Sequence, residues 1–459
     1  MRRTVPALMA LTLLLVACGQ PALPQTPAPI NTADMAPVST APGSTPYTDP
    51  SPVSTDAAPT LPAPGSPAPV NPAPVNPAPT TPELPNSASE FPEADPSLEA
   101  QGLIPSGFGG PVSVRGGNLR IGEQAMFPFG FYHVSWMSDA ATRLRDMREM
   151  SAAGFNTMTA SVINDNDNAR YGDFLDAAAK ARMYVLTEGL FSSQVPKLAS
   201  KPAVLGWMVA DDCNLQYTAA QVRARSDAMR ALDPTHPTYA ALFTGYNQPH
   251  ADFFGTTHLM GNMSYPVGPG DSIGSTYDME KLSVSVAAAS GTVPIANLQA
   301  FSWGTVPGHD PAARMPTPAE VYNMTYQAIG AGVKGILYYT YLDSYNSVRR
   351  SPGVWNMVRS IVPEITQISP MLLNSAPQYL STNNGLLHAT AWVYRAHTYL
   401  LITNVSPTNA QPVYLPLAAQ AAKTLRPLFA GRPNGAIKLS GTTLGGTIAP
   451  LAAHFYQIN

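Results

Sequence analysis

Between Met126 and Ser344 the chain repeats one pattern eight times: an apolar run of strand length, in most cases followed by a segment of helical period. "MFPFGFYHV" reads as the first strand, and in "DAATRLRDMREMSAAG" Leu144, Met147 and Met150 fall at helical spacing before Gly154 stops the helix. "FNTMTASVI", "MYVLTEGL", "VLGWMVAD", "HPTYAALF", "HLMGNMSYP", "VPIANLQAFSW" and "VKGILYYTYLDS" supply the other seven strands. Strands that alternate with helices pair in parallel and must be covered on both faces. Eight such units predict the α/β class and a closed (β/α)8 TIM barrel.

The chain ahead of this pattern cannot join a core. Arg2 and Arg3, the apolar stretch "PALMALTLLLVA" and the small residues of "LVAC" before Cys18 read as a secretory signal. The stretch resembles a bacterial lipoprotein signal, which implies cleavage before Cys18 and lipid on that residue. The expected address is then the cell envelope, lipid-anchored and extracytoplasmic, with the membrane met through the N-terminal lipid alone. Residues 19–100 hold 22 of the 48 prolines, no Lys or Arg, and the near-repeat "PAPVNPAPVNPAP". Such a composition reads as a disordered, extended tether of at most about 250 Å at roughly 3.1 Å per residue. The expected division is signal peptide 1–17, lipidated Cys18 and tether 18–105, barrel with an opening hairpin 106–374, and an all-β domain 375–459.

Charge narrows the partners. Residues 101–459 carry 21 acidic against 24 basic side chains, a net of about +3 that gives no electrostatic case for nucleic acid. The expected protein is a monomer that uses no cofactor. No His, Cys, Asp or Glu grouping has metal-ligand spacing, so no metal is expected. No Gly-rich loop opens a helix after a strand, and no G-x-S-x-G elbow occurs. Cys213 is the second of two cysteines and would lack a disulfide partner once Cys18 carries lipid.

In a (β/α)8 barrel the chemistry sits where the strands end. The fourth strand ends in two adjacent carboxylates, Asp211 and Asp212, and the third in Glu188. The remaining strand ends offer His133 and Trp136 on the first, Asn164 on the second, Tyr265 on the sixth, Gln299 and Trp303 on the seventh, and Tyr341 with Asp343 on the eighth. Carboxylates, amides and flat rings around one mouth suit a carbohydrate, whose hydroxyls need hydrogen bonds and whose ring faces stack on aromatics. Adjacent residues on a regular strand point to opposite faces, so Asp211 and Asp212 can both face the mouth only through a bulge or a turn.

The segments "VSVRGGNLRIGEQAMFPFGFY", "GWMVADD", "NMSYP" and "PTPAEVYNMTYQAIGAGVKGILYYTY", with a β-rich tail ending "IAPLAAHFYQIN", resemble (β/α)8 glycoside hydrolases. In that group strand four ends in a Trp-containing segment followed by Asn-Glu or Asp-Glu, the Glu being the general acid/base. The resemblance puts Asp211 at the Asn/Asp position and Asp212 at the catalytic Glu, one methylene shorter. It puts Gln299 in the neighbourhood of the group's nucleophilic Glu, where an amide cannot act as a carboxylate nucleophile.

After the barrel, "PGVWNMVRSIVPEITQI" reads as a closing helix, and "LLHATAWVY", "TYLLITNVS", "PVYLPL", "TLRPLFA" and "IAPLAAHFYQI" as strands of a small C-terminal β-sandwich. Two functions follow as expectations. One is a glycosidase on an oligo- or polysaccharide, with Asp212 as acid and Glu188 or Asp343 as second carboxylate. The other is a carbohydrate-binding or envelope-structural lipoprotein that has kept the cleft and lost the chemistry.

Overall fold

The computed structural model describes residues 103–136, 138–162, 170–243, 250–382, 384–417, 424–429, 431–432 and 437–458. Cys18, the Pro-rich tether and Asn164 lie outside the described residues.

Three short antiparallel strands come first: β1 (Val112–Arg115), β2 (Asn118–Ile121) and β3 (Gln124–Met126). Gly116 and Gly117 join β1 to β2 with φ of 62° and 70°, the left-handed pair that a two-residue hairpin turn requires. Val112, Leu119, Ile121 and Met126 pack into one cluster with Leu205, Leu259 and Val293 at the starts of barrel strands, so this small sheet plugs the end opposite the mouth.

All eight expected barrel strands form. They are β4 (Phe129–Val134), β5 (Thr157–Ser161), β6 (Tyr184–Glu188), β7 (Val204–Ala210), β8 (Thr238–Leu242), β9 (Leu259–Ser264), β10 (Val293–Gln299) and β11 (Ile336–Tyr339). They pair in parallel in chain order, and β11 closes on β4. Alternation, shifted on β7 where Val185 pairs with Val204 and Leu186 with Gly206, sorts their side chains. Tyr184, Leu186, Leu205, Met208, Tyr239 and Ile295 fill the lumen, while Val185, Val204, Trp207, Met260 and Leu298 pack outward under the helices. Trp207, in the segment that carries the resemblance, is thus a core residue. Its Nε1 donates to Asp233 Oδ2 at 2.9 Å.

Capping residues delimit the helices. Thr218 opens Ala219–Leu232 and Thr317 opens Pro318–Ala331, each in a reciprocal capping box with the Gln221 or Glu320 side chain. The closing helix, Pro352–Asn374, carries Pro363 and Pro370 within it.

The chain ends in two antiparallel sheets. The larger is ordered β12 (Gln378–Leu380), β13 (Leu387–Tyr394), β14 (His397–Asn404), β19 (Ala453–Ile458), β16 (Leu425–Pro427). The smaller is β15 (Gln411–Pro416), β18 (Thr443–Ile448), β17 (Lys438–Ser440). Leu400 and Ile402 of the first meet Val413 and Leu444 of the second in a shared apolar cluster. The sheets seat on helix Pro318–Ala331, where Asn323 Nδ2 donates to the carbonyls of Asn404 and Leu451, both at 3.0 Å.

Candidate active site

Two strand irregularities build the mouth. Along β4, Phe131 pairs with Met158 and Val134 with Ala160, so Tyr132 and His133 together face Thr159. That extra residue is a bulge, and His133 takes φ 49° within it. Both adjacent side chains thereby turn into the lumen. The bulged backbone is held by side chains: His133 N–H donates to Thr159 Oγ1 at 2.6 Å, and Thr340 Oγ1 donates to the His133 carbonyl at 2.8 Å. Along β7, Met208 pairs with Tyr239 and Ala210 with Ala240, leaving Val209 extra. Asp212 then adopts a left-handed conformation, φ 42° and ψ 40°, ahead of the helical turn Cys213–Gln216. Asn214 fastens that turn to the end of β8, with its amide paired to both the N–H and the carbonyl of Phe243 at 2.8 Å.

The result is a compact charged cluster. His133 Nδ1 lies 3.3 Å from Glu188 Oε2, and His133 Nε2 lies 3.0 Å from Asp211 Oδ2. Tyr132 OH and the Asp212 N–H both donate to Asp211 Oδ1. Burial opposes charge on His133, but the carboxylates of Glu188 and Asp211 outweigh it and raise the imidazole well above its usual range. Burial likewise pushes the Asp211 carboxyl up, and the His133 charge with the hydrogen bonds from His133, Tyr132 and Asp212 holds it below the usual value. Among the described residues Asp212 has no such donor. Burial, then the neighbouring Asp211 charge, push it up to about 7. One strand end therefore presents an ionised carboxyl beside one that still holds its proton up to about pH 7, the division of labour that acid catalysis needs.

His133, Glu188 and Asp211 can bring one ligand atom each to within 4.8 Å of one another, a grouping that sequence spacing does not reveal because it spans three strands. Both ring nitrogens of His133 already face carboxylates, so a cation would have to break one of those pairs.

Rings line the rest of the mouth. Tyr339 meets His133 edge-on at 5.7 Å and stacks on Tyr265 at 5.7 Å, and Phe301 and Trp303 continue the wall. Trp136, half-buried, lies 5.7 Å from the His133 ring. Ser161 Oγ, Trp136 Nε1, Tyr265 OH and Glu188 Oε2 are buried without a hydrogen-bond partner among the described residues. Beside Tyr265 and Trp303 opens a pocket of about 150 Å³, bounded also by Phe243, Met263, Pro266 and Asp271.

Three expected contacts need correction. Gln299 is fully buried, and its amide is engaged by the backbone: it accepts from Val267 N–H at 2.8 Å and donates to the carbonyls of Val267 at 2.7 Å and Phe301 at 3.2 Å. Tyr341 points outward, edge-on to Phe131 at 5.3 Å and Trp355 at 5.6 Å, because β11 ends at Tyr339 and the alternation that would return Tyr341 to the lumen ends with it. Asp343 is buried and caps its own loop: it accepts the N–H groups of Tyr345 and Asn346 on Oδ1 and the Tyr339 hydroxyl, at 2.6 Å, on Oδ2. It positions Tyr339 and presents no free carboxylate to the mouth. Sequence reasoning missed Tyr132, Tyr339 and Ser161. The first was hidden by assuming strict alternation through His133, and the other two carry no signal apart from strand position.

No protein-family model matches the sequence, and no curated protein is significantly similar to it. Solved structures share the fold. A glycoside hydrolase family 5 protein from Bacteroides vulgatus aligns at 13% identity over 76% of this chain and 94% of its own, with a TM-score of 0.54. An α-amylase from Geobacillus thermoleovorans, solved with acarbose, aligns at 10% identity over 72% and 98%, with a TM-score of 0.53. A family 27 β-L-arabinopyranosidase from Geobacillus stearothermophilus, solved with arabinose, gives 10% identity over 72% and 97%, and a TM-score of 0.53. At these identities the likeness is one of fold: this chain is built on the parallel eight-stranded barrel that those glycoside hydrolases use.

Proposed function

We propose that this chain is a glycosidase that cleaves O-glycosidic bonds of an oligo- or polysaccharide at the C-terminal mouth of its barrel. The observation that carries this reading is Asp212, a carboxyl raised to about 7 beside an ionised Asp211 at the end of β7. Asp212 donates its proton to the departing glycosidic oxygen. Asp211 and Glu188, braced by His133, supply negative charge against the positive charge that grows at the anomeric carbon. Tyr339, Tyr265, Trp303 and Trp136 offer ring faces and donors to the sugar.

The test is Asp212→Asn, which keeps the shape and removes the proton. Turnover of a substrate with a poor leaving group is expected to fall by about 10² to 10⁴, and turnover of an aryl glycoside with an activated leaving group much less. Equal turnover by variant and wild type on both substrates would remove Asp212 from the role. One observation favours a second reading, binding without turnover: Gln299 lies in the neighbourhood of the resembling hydrolases' nucleophile, and its amide is engaged by backbone. Binding of a polysaccharide with no hydrolysis across a broad glycoside panel would select it.

The same reading includes location. Cys18 carries the lipid, the Pro-rich segment lifts the barrel from the envelope membrane, and the protein works as a monomer. No helix among the described residues is long and apolar enough to cross a membrane.

A further inference from the structure

The glycosidase reading leaves one atom unassigned, the nucleophile. Asp211 and Asp212 are neighbours at one strand end, so they approach a sugar from the same side. Glu188 belongs to that side too, because its carboxylate lies within 4.8 Å of the Asp211 ligand atom with the His133 ring paired to both. Carboxylates that flank a scissile bond stand roughly 5 to 9.5 Å apart with the sugar between them. Here the gap is shorter than the closest of those arrangements, and imidazole fills it. Across the mouth, Gln299 is an amide engaged by Val267, and Asp343 caps its own loop. Neither supplies a carboxylate opposite the pair, and Asp271 is set in the wall of the side pocket.

We propose that the substrate is a 2-acetamido sugar whose own acetamido oxygen supplies the missing nucleophile; this rests on the glycosidase reading above. Three features fit such a group. Asp211 accepts Tyr132 OH and Asp212 N–H on Oδ1 and His133 on Oδ2, which leaves one lone pair of Oδ2 for the acetamido N–H. The pocket of about 150 Å³ beside Tyr265 is of the size that holds a small apolar group. That is sufficient for an acetamido group. Its walls set Phe243, Met263, Pro266 and Trp303, which suit the methyl end, beside the polar Ser264, Asp271 and Ser275. The Tyr265 hydroxyl is buried without a partner among the described residues and can donate to the acetamido oxygen. The Tyr265 ring stacks on Tyr339, which meets His133 edge-on, so the pocket adjoins the charged cluster.

The chemistry balances without a protein nucleophile. A lone pair of the acetamido oxygen forms a bond to the anomeric carbon as the glycosidic C–O bond breaks with its electron pair, and Asp212 gives its proton to the departing oxygen. The cyclic oxazolinium that results keeps its N–H on the Asp211 carboxylate. Water then adds to the anomeric carbon, passing a proton to Asp212, and the bond to the acetamido oxygen breaks to restore the acetamide. One glycosidic bond and one water are consumed, with configuration retained.

The experiment uses paired 4-nitrophenyl β-glycosides of gluco and galacto configuration, in which the leaving group lies trans to the acetamido group. One member of each pair carries a 2-acetamido group and the other a 2-hydroxyl. The full chain is expected to favour the acetamido members by at least about 10², and replacing acetyl by trifluoroacetyl is expected to cost a similar factor, since a withdrawn carbonyl is a poorer nucleophile. A sugar-fused methylthiazoline, which mimics the cyclic intermediate, is expected to inhibit the wild type and to inhibit Tyr265→Phe more weakly. Equal turnover of the 2-hydroxyl sugars, or rates indifferent to fluorination, would overturn this inference and leave the glycosidase reading standing. Turnover of neither series would likewise overturn this inference, while the glycosidase reading itself stands or falls on the broad glycoside panel.

Discussion

Gln299 and Val267 form a two-way clasp: the Val267 N–H donates to Gln299 Oε1 at 2.8 Å, and Gln299 Nε2 donates to the Val267 carbonyl at 2.7 Å. The clasp ties the loop after β9 to the end of β10 and thereby fixes Tyr265 and Pro266, two walls of the side pocket. The strand end at which a resembling hydrolase would place a nucleophile is used here to hold a wall in place.

Changing Gln299 to Glu therefore tests structure and chemistry together. Glu keeps the acceptor and loses the donor, which leaves the Val267 carbonyl facing a carboxyl. A stability loss of about 1–3 kcal/mol is expected from the urea midpoint. A rise in glycosidase turnover of Gln299→Glu would show that this position can serve as a nucleophile.

Asp212 sets the alkaline limb of the pH profile. Its carboxyl is protonated below about 7, so kcat/KM is expected to fall as pH rises through that value. Asp211→Asn removes the charge that helps hold the Asp212 proton, so the limb is expected to move to lower pH. A limb that stays in place in Asp211→Asn would assign it to another group.

His388 makes the joint between barrel and β-sheets sensitive to acid. It stacks on Tyr277 at 3.9 Å, and burial lowers it to about 4, with Asp278 raising and Lys281 lowering it further. A group lowered in this way stays neutral in the fold while the unfolded chain takes up a proton below about 6.5. Stability is then present above 6.5 and is lost as pH falls from there towards 4, by at most about 3 kcal/mol for this residue. His388→Phe keeps the stack and is expected to flatten that part of the stability profile. His454, also lowered by burial to about 4, titrates in the same window and supplies what slope remains. A wild-type melting temperature that stays constant between pH 7 and 4 would contradict the assignment.

For the anchor, metabolic labelling with a palmitate analogue is expected to mark the wild type and not Cys18→Ser. Limited proteolysis is expected to trim the chain between about residues 20 and 100 and to leave the barrel intact. Equal labelling of both proteins, or a protected fragment reaching well into the Pro-rich segment, would count against the tethered lipoprotein.

The barrel was legible in the one-dimensional pattern because strand and helix periods are local properties. Eight apolar runs, their helical spacers and the Gly116-Gly117 turn each declare themselves within a few residues. Strands β12, β17 and β18 did not, being short or, like "TLGGTI", interrupted by glycine. The acid pair was also legible, since Asp211 and Asp212 follow directly on an apolar strand. What the pair does was decided elsewhere. Whether Tyr132 and His133 both enter the lumen depends on a bulge against β5, and a bulge is a mismatch with a neighbouring strand that no single strand records. His133 gains its charge from Glu188 and Asp211, which lie 55 and 78 positions away and meet it because the sheet closes. Asp212 keeps its proton because closure buries it beside Asp211. Residue type and spacing determined which groups stand at the mouth; register, bulge and burial, all properties of strands set against one another, decided which of them carry charge and which carry a proton.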